Sequence, residues 1–335
     1  MSESLPGVAV IIPCYNYGRF LRECVESVLT QAGVSVRILI IDDCSTDDSE
    51  AVGQQLAAED SRIEYRRHAV NRGHVATYNE GLDWASVDYL LLLSADDLVT
   101  QGALGRAVGL MQKYPEVGMT FGEVVRTNTP DFAAVPAPST YLTQVIPGPD
   151  FVEECVRKCN NLVEAATAVV RTSVQKTIGG YRKDLPHCCD FEMWLRCASV
   201  SAIGRISAPQ GFYRRHGANM STAYVERKGY DQLRAAFESF FREFGHRLPE
   251  RTRLEAQLRQ GLATEAFFLA NESYETGNAA QCSALLTEAQ ELWPNVLQLR
   301  GWRRLRLKRV LGGRIWRIIR PLLKRRRVPE TPSAA

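Results

Sequence analysis

The chain has 335 residues, 45% hydrophobic and 24% charged. This is an ordinary composition for a soluble globular protein, long enough for two domains or for one large domain with an appendage. No apolar run reaches the ~18 residues of a membrane span, and Met1 to Gly7 has no basic segment of the kind that opens a secretory leader, so a cytoplasmic protein is expected. The nine cysteines are odd in number and lack Cys-x-x-Cys spacing, which argues against a zinc site or disulfide framework and for reduced thiols. The net charge of +3 hides an asymmetry: residues 301–335 carry 12 Lys/Arg against one Glu, leaving 29 basic and 37 acidic groups in the other 300.

The first ~125 residues alternate strand and helix signals. Val8 to Ile12 is a short β-rich run ended by proline, and Phe20, Cys24, Val28 and Leu29 repeat at helical spacing from about Tyr17 to Gln31. Val36 to Ile41 is a second strand, with Ser45 or Thr46 placed to cap the next helix. Ile63 to Arg67 is a third strand, His74 to Ala85 a helix, and Asp88 to Leu93 a fourth strand. This order predicts an α/β fold with a mainly parallel sheet flanked by helices.

After Phe121 the pattern changes. Thr129 to Pro149 holds five prolines and reads as a loop or flap. Helical signals return near Phe151, Val169 to Arg171 looks extended, Gly179-Gly180 marks a turn, Asp190 to Ala198 is helical, and Phe212-Tyr213 reads as an edge strand. From about Val225 only helical patterns remain, with one helix-turn-helix unit of tetratricopeptide type between Leu262 and Pro294. The resulting division is 1–222, 223–300 as a helical appendage, and 301–335 as a basic tail. In 302–327, Trp, Ile and Leu alternate with arginine so as to suit an anionic membrane surface, interrupted by Gly312-Gly313 and Pro321. No nucleic-acid-binding module accompanies that charge, and no nucleic-acid partner is expected.

Three acidic groups stand where strands or loops end: Asp42-Asp43, Asp96-Asp97 and Asp190. That edge of an open α/β sheet binds ligands. A carboxylate after the second strand can accept hydrogen bonds from ribose hydroxyls or a base N–H, although Asp-rich helix starts are also common. Adjacent carboxylates at 96 and 97 repel one another unless a cation neutralises them, and Mg²⁺ or Mn²⁺ prefers such oxygen ligands. Vicinal Cys188-Cys189 reads as packing beside the site.

Five ordered segments, Pro13-Cys14-Tyr15-Asn16, Asp42-Asp43, Ser94-Ala95-Asp96-Asp97, Asp190-Phe191-Glu192-Met193-Trp194-Leu195-Arg196 and Tyr213-Arg214-Arg215-His216, together resemble the family 2 inverting glycosyltransferases, of bacterial polysaccharide or glycoconjugate type. The resemblance covers roughly residues 7–222. It implies the GT-A nucleotide-sugar-binding fold and transfer from a nucleotide-diphosphate sugar, UDP-linked by expectation, to an acceptor hydroxyl on a lipid-linked or cell-surface saccharide. It places Pro13, Tyr15 and Asn16 at the uracil or ribose, Asp43 on the base, Asn71 and Arg72 at the nucleotide, and Asp96 near ribose or phosphate. It also implies a divalent metal (Mn²⁺ or Mg²⁺) on Asp97, with His216 on the metal or diphosphate, and Asp190 as the base, with Glu192 as its rival. Ser94 and Cys189 stand where many relatives carry acids. The alternatives are a polyprenyl-phosphate sugar synthase and a catalytically degenerate nucleotide-sugar-binding scaffold. The basic tail suggests the cytoplasmic face of the inner membrane.

Overall fold

The computed structural model describes residues 4–129, 138–299 and 301–310. The chain divides into two units, Met1–Arg251 and Thr252–Ala335. In the first, β1 (Gly7–Cys14), α1 (Gly18–Leu29), β2 (Ser35–Asp42), α2 (Ser49–Glu59), β3 (Ile63–Arg67), α3 (His74–Trp84) and β4 (Tyr89–Leu92) follow one another. Consecutive residues of β1 and β2 are buried, Val8 to Ile12 and Ile38 to Ile41, as strands covered on both faces require. α1 adds Leu21, Cys24, Val25 and Val28 to that core at helical spacing. β1 pairs in parallel with β2 and β4, and β2 in parallel with β3, so four strands turn their carboxyl ends to one edge.

Beyond β4 the alternation stops. β5 (Leu98–Val99), α4 (Ala103–Lys113), β6 (Val117–Thr127), β7 (Leu142–Ile146), α5 (Gly148–Lys158), β8 (Val169–Arg171), α6 (Thr172–Ile178), α7 (Cys189–Ala198) and β9 (Ala202–Arg214) come next. Among the described residues the sheet has nine strands in the order β3-β2-β1-β4-β8-β6-β9-β5, with β7 also on β9. β8 is antiparallel to both β4 and β6, while β6 and β9 run parallel.

Phe212-Tyr213 is not an edge strand but the end of the 13-residue β9, where Phe212 pairs with Leu98 on one side and Val125 on the other. Ser207 to Gly211 breaks the hydrophobic pattern, and the pairing absorbs that stretch through register shifts between Gly122 and Val124. The segment 129–149 is not loop throughout. Leu142–Ile146 pairs antiparallel with Ile203–Ser207, and α5 starts at Gly148. Residues 130–137 lie outside the described residues.

The last helix wholly within the first unit is α8 (Arg227–Glu243), which the sequence division gave to the appendage. It buries Tyr230, Phe237, Phe240 and Phe241, and Phe237 meets Phe191 of α7 edge-on with ring centroids 4.9 Å apart. The compact unit that holds the sheet thus runs to Arg251 and includes α8. In the second unit, α9 (Arg251–Glu275) and α10 (Ala279–Leu292) form one helix-turn-helix. Gly277 supplies the positive φ (+90°) of the turn, and the Asn278 side chain caps α10 by accepting the N–H of Gln281 at 3.1 Å. Residues 301–310 are helical, with Trp302 stacked on Phe267. The tail pattern read over 302–327 lies outside the described residues from 311 onward. Among the described residues no helix is long and apolar enough to cross a membrane.

α7 is fixed by a buried ion pair. Glu192 accepts from Arg196 Nε at 2.8 Å and from Arg182 Nε at 2.9 Å, and Arg196 also donates to the carbonyls of Ile178 and Gly180. Removing one partner of a buried pair costs about 3–5 kcal/mol where it leaves the other charge uncompensated, an upper bound here because Arg182 still meets Glu192. Arg196→Met is expected to lower unfolding free energy in urea by up to about that amount, and adding Glu192→Leu to recover part of it.

Candidate active site at the carboxyl edge of the sheet

The ends of β1 and β2 are tied together by strained backbone. Asn16 (φ +59°) and Cys44 (φ +66°) both sit in the left-handed region, costly for residues with a Cβ and characteristic of functional loops. Asn16 N–H donates to Ser45 Oγ at 2.9 Å, and its side-chain oxygen accepts the N–H of Thr46 at 2.8 Å. Beside this tie Pro13 is half-buried, while Tyr15 is 47% exposed. Asp42 is fully buried and accepts from Ser45 N–H at 2.8 Å and Tyr65 hydroxyl at 2.9 Å.

Asp43, expected on the base, holds a turn. Its carboxylate accepts the N–H of Arg72 at 2.7 Å and of Gly73 at 2.8 Å, and lies 2.7 Å from His68 Nδ1. Asn71 Nδ2 donates to the Asp43 carbonyl at 3.1 Å. Gly73 has φ +80°, a conformation that side chains disfavour, so the turn needs glycine there. The guanidinium of Arg72, expected at the diphosphate, instead pairs with Glu80 at 2.8 Å, and Glu80 also meets His68 Nε2 at 3.0 Å.

Asp96 and Asp97 follow β4 and are 5% and 6% exposed. The end of β9 and its continuation close over them. Asp96 Oδ2 lies 2.9 Å from His216 Nε2 and accepts from Asn219 Nδ2 at 3.3 Å; Asp97 Oδ1 accepts the N–H of Arg214 at 3.0 Å. The Arg214 guanidinium lies over the Phe20 ring, and His216 packs against Phe20 and Tyr17. Burial, reinforced by the charge of Asp96, pushes the Asp97 carboxyl well above the usual carboxylate range. Two adjacent buried carboxylates suit a divalent cation, which would relieve that repulsion. His216, expected on the metal, has Nε2 on Asp96 and accepts the N–H of Ala218 at Nδ1. Among the described residues no group of three His, Cys, Asp or Glu side chains stands ready to hold a metal.

Asp190 lies in the first turn of α7. It accepts the N–H of Phe191 at 2.6 Å, and its other oxygen faces Asn161 Nδ2 at 3.5 Å. Burial, with a smaller contribution from the charge of Glu164, raises its pKa to about 7. The rival Glu192 is locked into the ion pair with Arg182 and Arg196. Cys188 and Cys189 are buried free thiols, and burial pushes Cys188 up to about 12, far from a reactive thiolate. Glu164, half-buried just before a 3-10 turn (Ala165–Thr167), carries no motif signal. It pairs with Arg126 of β6, and its charge acts on both Asp97 and Asp190. Only the meeting of β6 with β8 and β9 brings it there, which no local pattern reveals.

A raised carboxylate pKa means that the folded state binds a proton which the unfolded chain releases near pH 4. The stability this group contributes is full below pH 4 and declines as pH rises through about 7. Asp190→Asn is therefore expected to raise the melting temperature at pH 8 more than at pH 5, measured by calorimetry against the wild type in the same buffers.

Residues 9–143 match the family model for glycosyl transferase family 2. "Putative glycosyltransferase EpsE" of Bacillus subtilis (strain 168) is 28% identical over 197 residues, 58% of this chain and 67% of that protein. The "GalNAc(5)-diNAcBac-PP-undecaprenol beta-1,3-glucosyltransferase" of Campylobacter jejuni is 34% identical over 113 residues, 33% of this chain and 36% of that one. The crystal structure of S. aureus TarS 1-349 in complex with UDP-GlcNAc superimposes with a TM-score of 0.65 at 17% identity, covering 97% of this chain and 93% of that one. The sheet order and the TarS superposition agree on the GT-A fold, and within it residues 9–143 are similar to the family 2 glycosyltransferases.

Proposed function

We propose that the protein transfers a sugar, with inversion, from a UDP-linked donor to a hydroxyl of a lipid-linked or cell-surface saccharide. The observation that carries this reading is the half-buried Asp190, poised near pH 7 at the same edge as Asp96 and Asp97. Tyr78 senses the charge of both Asp190 and Asp96, so the two carboxylates share one neighbourhood.

In this reading Asp190 accepts the proton of the acceptor hydroxyl as its oxygen attacks the anomeric carbon. The bond from that carbon to the diphosphate breaks on the opposite face, and the electron pair leaves with the nucleotide. A base with pKa near the working pH serves that step well. A divalent cation held by Asp96 and Asp97, with His216 steadying Asp96, would offset the charge of the leaving diphosphate. The turn held by Asp43, with Asn71, Arg72, Tyr15, Pro13 and Asn16 around it, forms the nucleotide side. A lipid phosphate is already ionised at neutral pH and needs no such base, so Asp190 favours a hydroxyl acceptor over the polyprenyl-phosphate alternative. An intact base likewise weighs against a scaffold without turnover. A lipid-linked acceptor draws support from the name of the Campylobacter relative and from the basic composition of 301–335, which suits the cytoplasmic face of an anionic membrane.

Thermal-shift measurements with UDP, GDP, CDP and dTDP, each with and without Mn²⁺, test the donor class. A ligand at 100 times its dissociation constant stabilises by about 2.7 kcal/mol. UDP with Mn²⁺ is expected to give the largest shift, and the absence of any shift would remove the reading. With the donor sugar then identified, kcat/KM should rise with pH through about 7 as Asp190 ionises. Asp190→Asn should lose about 10²–10⁴ in kcat while UDP affinity holds. A pH profile flat from 5.5 to 8.5 would exclude Asp190 as the base.

A further inference from the structure

Glu164 and Arg126 form a charged pair at this edge to which neither the sequence motifs nor the reading above gives a task. Their place is defined by three contacts. Asn161, three residues before Glu164, reaches Asp190 with its side chain. Thr167 closes the turn by donating its N–H to the Glu164 carbonyl at 2.9 Å. Ala166 of that turn lies against Gly211 of β9, as does Leu98, the residue after Asp97; a Cβ on Gly211 would stand 3.1 Å from the Ala166 carbonyl and 3.3 Å from that of Leu98. The segment 161–166 thus bridges from the Asp190 side to the Asp97 side, with Glu164 in its middle.

Arg126 reaches the same point from β6. Its neighbour Thr127 pairs with Arg214, whose N–H donates to Asp97. The ion pair is open: Arg126 is 44% and Glu164 38% exposed, whereas Asp96 and Asp97 are almost wholly enclosed. Glu164 also acts electrostatically on both Asp97 and Asp190, in keeping with a position between them.

We propose that Glu164, steadied by Arg126, reads the hydroxyl pattern of the transferred sugar. The inference rests on the donor reading above. If the diphosphate leaves beside Asp96 and Asp97 and the base is Asp190, the sugar ring must lie between them. Sugar hydroxyls donate to a carboxylate and accept from a guanidinium, so an open Arg–Glu pair can hold two neighbouring hydroxyls at once. An epimer directs one hydroxyl away and leaves one of these groups without its partner, the situation in which a polar site discriminates most strongly. Glu164 and Arg126 are both binding and specificity residues in this scheme, and Arg126 also fixes the carboxylate.

Calorimetric titration of the full chain with UDP, UDP-glucose, UDP-galactose, UDP-GlcNAc and UDP-GalNAc, all with Mn²⁺, tests this. The wild type is expected to prefer one UDP-sugar over its C4 epimer by about tenfold or more. Glu164→Gln should bring that ratio to within about threefold while the UDP dissociation constant stays within about twofold. Arg126→Lys should keep most of the preference and Arg126→Gln lose it, with melting temperatures close to wild type in each variant. A ratio unchanged in Glu164→Gln, or an equal loss for UDP and UDP-sugar, would overturn the proposal while the donor reading stands. A wild type that binds no UDP compound would overturn the donor reading, and this proposal with it.

Discussion

Negative charge held close together is costly, and this protein gathers six carboxylates at one sheet edge: Asp42, Asp43, Asp96, Asp97, Glu164 and Asp190. The rest of the site is arranged around how each is compensated. Asp42 and Asp43 are fully engaged by backbone N–H groups, Tyr65 and His68, and act as braces. Asp96 is matched by His216 and Asn219. Asp97 has one backbone N–H, and Asp190 has its neighbour's N–H and a long contact to Asn161. Compensation thus decreases from Asp42 and Asp43 toward Asp97 and Asp190. The two least compensated groups, Asp97 and Asp190, are those whose protonated forms are most favoured. A buried acid left short of partners is a poor brace and a good acceptor of cations or protons.

Such an edge needs rigid support. α7 provides it through the Glu192–Arg196 pair and the Phe191–Phe237 contact, which together fix the helix that presents Asp190. β9 provides it on the other side, because its last residue, Arg214, touches Asp97 directly and the following His216 and Asn219 touch Asp96. The Glu192–Arg196 ion pair thereby holds the helix turn from which Asp190 projects.

β1, β2 and β4 were legible because each is a short apolar run, and β3 and β8 fall on the expected residues. β9 was not, since Pro209 and Gly211 interrupt its pattern and only pairing on both sides makes it a strand. The acids at 43, 96, 97 and 190 stood out by motif, but not what they bond to. Asp43 looked like a ligand for a base, yet its oxygens meet the N–H groups of a turn 29 and 30 residues away. Glu164 left no trace in the sequence, because its pairing with Arg126 of β6 depends on β8 being set antiparallel between β4 and β6.

That small strand has a further consequence. In the proposed reading, residues 7–99 build the side of the site that would face the nucleotide and residues 161–190 the side that would face the sugar and base, so the two lie in separate stretches of chain joined through β8. Mutation can therefore explore new sugar preferences in the second stretch while the first keeps its grip on the nucleotide. A lineage with this architecture can diversify what it transfers without re-inventing how it holds the carrier.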